Sequence, residues 1–186
     1  MKISIVTCTY NRHYLLKKNI NSVLKQKFKN YEHFVIDDGS VDNTEKLIKN
    51  FPHIKYIKLK KNYGQPGAMY YSKVLKKISG DYVILLDSDD YFLKDAKKII
   101  LKFINDKRNK DVWSFSFNTK NNTNNNISFK SHKINSKLIY HDKHIRFNEG
   151  KGFRDFCDVR KKIYYKKFNK YFISPKYWYS SFVEVN

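Results

Sequence analysis

Two acidic clusters constrain the fold of this chain more than any other feature, because each one directly follows a short apolar run. The first cluster spans residues 37–42 and follows residues 34–36, and the second spans residues 87–90 and follows residues 82–86. Short, continuous apolar runs are typical of buried strands in a parallel sheet. Both clusters are therefore predicted to lie past the carboxyl ends of parallel strands, where open α/β sheets bind nucleotides.

The second cluster has the pattern that a divalent cation requires. Asp87 and Asp89 are separated by one residue, so both carboxylates can converge on one Mn²⁺ or Mg²⁺ ion that also holds a diphosphate. The structural alternative is that Asp89 or Asp90 only caps a helix that begins near Leu93. The preceding apolar run and the matching first cluster favour the cation site.

The first cluster and the end of the first strand contain the residue types of a nucleobase site. A carboxylate of Asp37 or Asp38 can accept the ring N–H of a pyrimidine, and Gly39 allows the backbone to approach a ligand closely. Tyr10 can stack on a base. The alternatives are an Asp-Gly turn with Asp42 as a helix cap, and a Tyr10 ring packed in the core.

Strand and helix patterns alternate along the chain. Strands are predicted at residues 2–8, 31–36, 54–59, 81–86 and 113–117, and helices after Asn11, at 43–50, from the Gly64–Gly67 turn to Ile78, at 93–104 and, as a basic helix, at 153–168. Leu16, Ile20 and Val23 recur at helical spacing in the first helix. The order predicts an α/β fold with a doubly wound, mostly parallel sheet flanked by helices.

Composition narrows the function classes. The formal charge is +21, but 33 of the 38 basic residues are lysines scattered along the chain, so no nucleic-acid partner is expected. The two cysteines cannot form a disulfide framework, and no apolar run approaches the roughly 20 residues that a membrane span needs. We expect a cytoplasmic protein, with peripheral association to a membrane surface as an option.

Four ordered motifs resemble family 2 glycosyltransferases with the GT-A fold. They are residues 5–12 (IVTCTYNR), residues 35–42 (VIDDGSVD), the glycine-bearing segment at 62–68 and residues 80–90 (GDYVILLDSDD). The resemblance is close over residues 2–105 and looser beyond them. It implies a single domain over residues 1–186, with a nucleotide-sugar-binding half at 1–105 and an acceptor-side half at 106–186.

The resemblance also implies an inverting, hexosyltransferase-like activity. The donor is expected to be a nucleotide-diphosphate sugar, with UDP most expected, and the acceptor a glycan, a lipid-linked molecule or a protein. The residues implied for donor binding are Thr9, Tyr10, Asn11, Asp37, Asp38, Gly64, Asp87 and Ser88, and those implied for metal binding are Asp87 and Asp89. The catalytic base is implied at Asp155, with Glu149 and Asp158 as competitors.

Two other functions fit parts of the sequence. A sugar-nucleotidyltransferase is also an α/β, metal-dependent enzyme, but it would need a basic, glycine-rich phosphate loop after the first strand, where residues 9–12 supply none. A lysine-rich binding protein on a transferase scaffold is the non-enzymatic alternative. Assays of donor hydrolysis and sugar transfer separate that alternative from a glycosyltransferase.

Overall fold

The computed structural model describes residues 1–110, 112–118, 132–135 and 156–163. The strands are β1 Ile3–Thr9, β2 Tyr31–Asp37, β3 Ile54–Lys58, β4 Tyr82–Leu85, β5 Val112–Asn118, β6 His132–Asn135 and β7 Phe156–Lys161. The helices are α1 His13–Gln26, α2 Thr44–Ile48, α3 Gly64–Tyr71, α4 Val74–Lys77 and α5 Ala96–Asn105, followed by a 3₁₀ turn at Lys107–Asn109. The predicted alternation of strands and helices is confirmed over residues 1–110.

The described strands form one mixed sheet with the order β3-β2-β1-β4-β7-β5-β6. The first four strands in this order pair in parallel. Strand β7 is antiparallel to both β4 and β5, and β6 is antiparallel to β5. Five described strands therefore run in one direction and two in the other. The central strand β1 lies between β2 and β4, which are the two strands that precede the acidic clusters.

Helices cover both faces of the parallel part of the sheet, because successive side chains of a strand point to opposite faces. Val35 packs with Leu16 and Ile20 of α1 and with Ile48 of α2. The neighbouring residues Phe34 and Ile36 pack on the other face with Ala68 and Met69 of α3 and Val74 of α4. A third apolar cluster joins β1 and β4 to α5 through Ile5, Ile84 and Ile100. This two-sided packing confirms the doubly wound arrangement.

Two predicted elements differ from the structure. The helix expected from the glycine turn to Ile78 is divided into α3 and α4, because Lys73 between them adopts a left-handed conformation with φ 53°. The basic helix expected at 153–168 is wrong over Phe156–Lys161, which form β7. Strand pairing with β4 and β5 buries Val159 completely and satisfies backbone groups on both sides, so tertiary context overrides local propensity.

Prediction for stability. His33 is fully buried in β2, and burial together with the charge of His53 lowers the pKa of His33 to about 3. The unfolded chain then binds more protons than the folded chain below the ordinary histidine pKa. The free energy of unfolding should therefore fall as pH decreases, by about 1.4 kcal/mol from His33 between about pH 7 and pH 5.5. Urea titrations at the two pH values measure this difference.

The control for that experiment is the exposed His53, whose pKa is lowered by burial to a lesser extent. His53→Gln should keep most of the pH dependence, and His33→Gln should remove most of it. An unchanged dependence in His33→Gln would contradict the assignment.

Candidate active site

The strand register brings both acidic clusters to one edge of the sheet. Thr9 pairs with Asp37 at the end of β1, and the N–H of Asp38 donates to the Thr9 carbonyl at 2.9 Å. On the other side of β1, Val6 pairs with Leu85, two residues before Asp87. The predicted meeting of the two clusters at the carboxyl ends of the strands is therefore seen in the structure.

Cys8 lies between the two clusters. Burial, with smaller contributions from the negative charges of Asp87 and Asp38, raises the pKa of the Cys8 thiol far above its ordinary value. This shift favours the protonated thiol, which is a weak nucleophile.

Asp37 is fully buried and holds its own turn. One carboxylate oxygen accepts the Ser40 N–H at 2.7 Å, and the other accepts the hydroxyl of Tyr56 at 2.5 Å. Burial and the hydrogen bond to Asp37 raise the pKa of Tyr56, so its hydroxyl remains a donor. The described contacts of Asp37 are thus structural, and its role in donor binding stays a prediction.

Asp38 is 3% exposed and holds the loop that precedes α3. Both of its carboxylate oxygens accept the Tyr63 N–H at 3.0 Å. Burial raises the pKa of Asp38, and the hydrogen bonds from the Tyr63 and Gly64 backbone oppose that effect. Gly39 has φ +80°, and a Cβ there would lie 2.6 Å from the carbonyl carbon of Lys61. The close approach that Gly39 permits is therefore to the chain's own backbone at Lys61 and Asn62.

The segment after β1 combines a buried hydroxyl with an exposed aromatic ring. Thr9 is 3% exposed, and its Oγ1 has no hydrogen-bond partner within the described part of the chain. Tyr10 is 41% exposed, so the predicted alternative of a ring packed in the core is wrong. Asn11 ties this segment to the first cluster, since its N–H donates to Ser40 Oγ and its Oδ1 accepts the Val41 N–H.

The second cluster forms a turn in which Asp87, Asp89 and Asp90 are all exposed. The Asp90 N–H donates to the Asp87 carbonyl at 2.9 Å, and Ser88 between them is buried. Asp87 accepts a hydrogen bond from Gln65 Nε2 at 2.6 Å. Asp89 is paired with Arg12 at 2.8 Å, and both side chains are about half exposed. Neither Gln65 nor Arg12 was among the residues predicted for the site.

Asp87 and Asp89 suit a small hard cation. Mg²⁺ and ions like it are often held by one or two carboxylates together with substrate phosphates and water. No group of three or more His, Cys, Asp or Glu side chains able to hold a metal occurs among the described residues. The two carboxylates therefore fit a cation whose remaining ligands come from a phosphate-bearing substrate, but do not form a protein cage for it.

The remaining predicted residues have different outcomes. Gly64 begins α3 with φ +72°, and its N–H donates to Asn62 Oδ1 at 2.8 Å. Its predicted contact with the donor stays a prediction. Asp155 and Glu149 lie outside the described residues. Asp158 lies in β7, where its backbone pairs with Ser116.

Sequence reasoning missed a buried polar side of α1. Asn19, Ser22 and Gln26 are 0%, 7% and 6% exposed. All three form hydrogen bonds with the backbone of residues 87–97, which contains the second cluster. Their spacing of three and then four residues places them on one face of a helix, and this pattern was the available signal.

Comparison with known proteins identifies the family. The profile of glycosyl transferase family 2 matches residues 4–172. A GalNAc(5)-diNAcBac-PP-undecaprenol beta-1,3-glucosyltransferase from Campylobacter jejuni is 36% identical over 109 residues, which cover 56% of this chain and 35% of that protein. The first curated relatives are matched over only 15–35% of their own lengths.

Two solved structures have a similar fold. S. aureus TarS 1-349 in complex with UDP-GlcNAc has a TM-score of 0.68 at 23% identity, covering 91% of this chain and 48% of that one. Mannosyltransferase PcManGT from Pyrobaculum calidifontis, in complex with GDP-Man and Mn²⁺, has a TM-score of 0.55 at 20% identity, covering 64% and 35%. The predicted GT-A fold is confirmed by these likenesses.

No helix in the described part of the chain is long and apolar enough to span a bilayer. The sheet architecture, the paired acidic clusters and the family profile agree with one another. The chain therefore belongs to glycosyl transferase family 2.

Proposed function

We propose that this chain transfers a sugar from a UDP-sugar to an acceptor hydroxyl, with metal assistance and inversion at the anomeric carbon. The observation that carries the proposal is that one sheet edge gathers the buried carboxylate of Asp38, the Thr9 hydroxyl, which has no partner among the described residues, and the exposed carboxylates of Asp87 and Asp89. The UDP-GlcNAc complex of TarS and the Mn²⁺ complex of PcManGT support this proposal by analogy of fold.

Asp38 and Thr9 are assigned to the nucleobase end of the donor. The Tyr63 N–H occupies only part of the Asp38 carboxylate, because two ionised oxygens offer about four acceptor positions. The buried Thr9 hydroxyl lacks a protein partner among the described residues, and a polar ligand would supply one. Tyr10, Asn11 and Ser88 complete the proposed donor contacts.

Asp87 and Asp89 are assigned to the diphosphate end, where they would hold Mn²⁺ or Mg²⁺. When bound, such an ion neutralises the charge that develops on the departing diphosphate. Gln65 and Arg12 hold these carboxylates in place in the described structure. Because the Arg12 guanidinium is paired with Asp89, it would lie beside the diphosphate and add a second positive charge to that of the metal ion.

The chemical step is a single displacement. The acceptor hydroxyl oxygen forms a bond to the anomeric carbon as the bond from that carbon to the diphosphate oxygen breaks. The hydroxyl proton passes to a carboxylate, which we assign to Asp155. Attack opposite the leaving group inverts the anomeric configuration.

The acceptor and the cellular setting are also proposals. The undecaprenol-linked name of the Campylobacter relative suggests a lipid-linked acceptor for this chain, and a glycan or protein acceptor is the alternative. Peripheral attachment to a membrane surface would suit such an acceptor and the positive charge of +21. The family match provides no support for the sugar-nucleotidyltransferase alternative.

Prediction for the metal end. Asp89→Ala should leave the fold intact, because this side chain is about half exposed, while transfer falls by several orders of magnitude. Product formation from UDP-sugars with Mn²⁺, and after EDTA treatment, measures the effect. Asp95→Ala is the matched control, since it removes an exposed carboxylate from the start of α5 and should keep full activity. Transfer that survives both EDTA and Asp89→Ala would contradict the metal assignment.

Prediction for the nucleobase end. Asp38→Asn retains an oxygen that can accept the Tyr63 N–H, but it removes the charged acceptor for a pyrimidine N–H. UDP binding should weaken by about 1.5–3 kcal/mol, while guanosine and adenosine diphosphates, already weak ligands, change little. Calorimetry with the three nucleotides gives the comparison. Equal affinities of the wild type for all three would remove the basis for the assignment.

Prediction for the catalytic base. Asp155→Asn should preserve UDP and metal binding but nearly abolish sugar transfer, since only the proton acceptor is lost. Glu149→Gln and Asp158→Asn serve as controls at the competing positions. Normal turnover in Asp155→Asn, with loss in one of the controls, would move the base to that residue.

A further inference from the structure

Asn19 holds both ends of the turn that presents Asp87 and Asp89. Its Nδ2 donates to the Asp87 carbonyl and to the Asp90 carbonyl, each at 2.9 Å. The same turn is closed by the Asp90 N–H, which donates to the Asp87 carbonyl. The fully buried amide therefore contacts the turn at its first and last residues, on either side of Ser88 and Asp89.

A buried polar chain fixes the orientation of the Asn19 amide. Thr7 Oγ1 lies 3.4 Å from Asn19 Oδ1 and 3.0 Å from His33 Nε2, and all three side chains are completely buried. If the single hydrogen of the Thr7 hydroxyl is donated to Asn19 Oδ1, the hydroxyl oxygen can only act as an acceptor toward His33. The proton of that second hydrogen bond must then sit on His33 Nε2. This tautomer leaves His33 Nδ1 as a bare acceptor, and Nδ1 is the ring atom that has no partner within the described residues.

The rest of the buried polar side of α1 holds the remainder of the same irregular segment. Ser22 Oγ accepts the Phe92 N–H at 3.0 Å. Gln26 donates to the Leu93 carbonyl and accepts the Lys97 N–H, both at 2.9 Å. These side chains supply partners for backbone groups of Phe92 and Leu93, which lie outside regular secondary structure, and for the Lys97 N–H in the first turn of α5.

We propose that Asn19 is a positioning residue for the metal and diphosphate site, which it orients by fixing the turn that carries Asp87 and Asp89. This inference rests on the proposed function of those two carboxylates. Asn19 contacts only backbone carbonyls of the turn, so it acts on the site without touching the donor. Gln26 makes the same number of backbone contacts at the other end of the segment and should not affect the site.

The test compares Asn19→Leu with Gln26→Met, since both replace a buried amide of α1 by an apolar side chain of similar size. Mn²⁺-dependent UDP binding, measured by calorimetry, should weaken at least about tenfold in Asn19→Leu. It should stay within about twofold of the wild type in Gln26→Met. Amide hydrogen exchange should accelerate at residues 88–90 in the first variant and at residues 93–97 in the second. Equal weakening of binding in both variants would reduce Asn19 to a general structural role and overturn the proposal.

Thr7→Val keeps the test falsifiable if Asn19→Leu does not fold. Loss of the hydroxyl frees the Asn19 amide to rotate, so metal-dependent UDP binding should weaken in the same direction, and Thr7→Ser should restore it. Unchanged hydrogen exchange at residues 88–90 in Thr7→Val or Asn19→Leu would refute the proposal that Asn19 fixes the turn. If exchange at residues 88–90 accelerates in the variants but the wild type does not bind UDP in the presence of Mn²⁺, the proposed function is refuted instead.

Discussion

The parallel pairing of β1 with β2 on one side and β4 on the other is the constraint on which the site depends. The two acidic clusters begin 50 residues apart in sequence, at Asp37 and Asp87, and meet because the strands before them flank the same central strand. A slip of one residue in either pairing would turn buried apolar side chains toward the opposite face of the sheet. The hydrophobic packing of β1, β2 and β4 therefore also sets the position of the carboxylates.

Gathering several carboxylates at one edge is unfavourable unless each has a partner. The structure meets this requirement in different ways for the buried and exposed groups. The buried pair, Asp37 and Asp38, accept hydrogen bonds from neutral donors of Ser40, Tyr56 and Tyr63. The exposed pair, Asp87 and Asp89, contact the exposed side chains of Gln65 and Arg12. A cation can displace exposed side chains at lower cost than buried backbone donors, which agrees with the proposed division between nucleobase and diphosphate ends.

Much of the fold followed from periodicity, since β1 to β4, α1 and α5 match apolar patterns that are local in sequence. The confirmed placement of the two clusters depended on the same patterns and on the rule for parallel sheets. The wrong helix at 156–161 shows the limit of this reasoning, because β7 forms where β4 and β5 each need a partner strand. Local sequence contains little information about a partner that is more than 35 residues away.

The sequence by itself determined the α/β class, the order of the central elements, the residue types at the sheet edge and the resemblance to the family. Only the tertiary structure decided which distant polar groups contact the second acidic cluster. Asn19 and Arg12 contact the second cluster across 68 to 77 residues of chain. Hydrogen bonds of this kind depend on the distance and direction between atoms, and these quantities exist only after the hydrophobic core has brought α1 against the sheet.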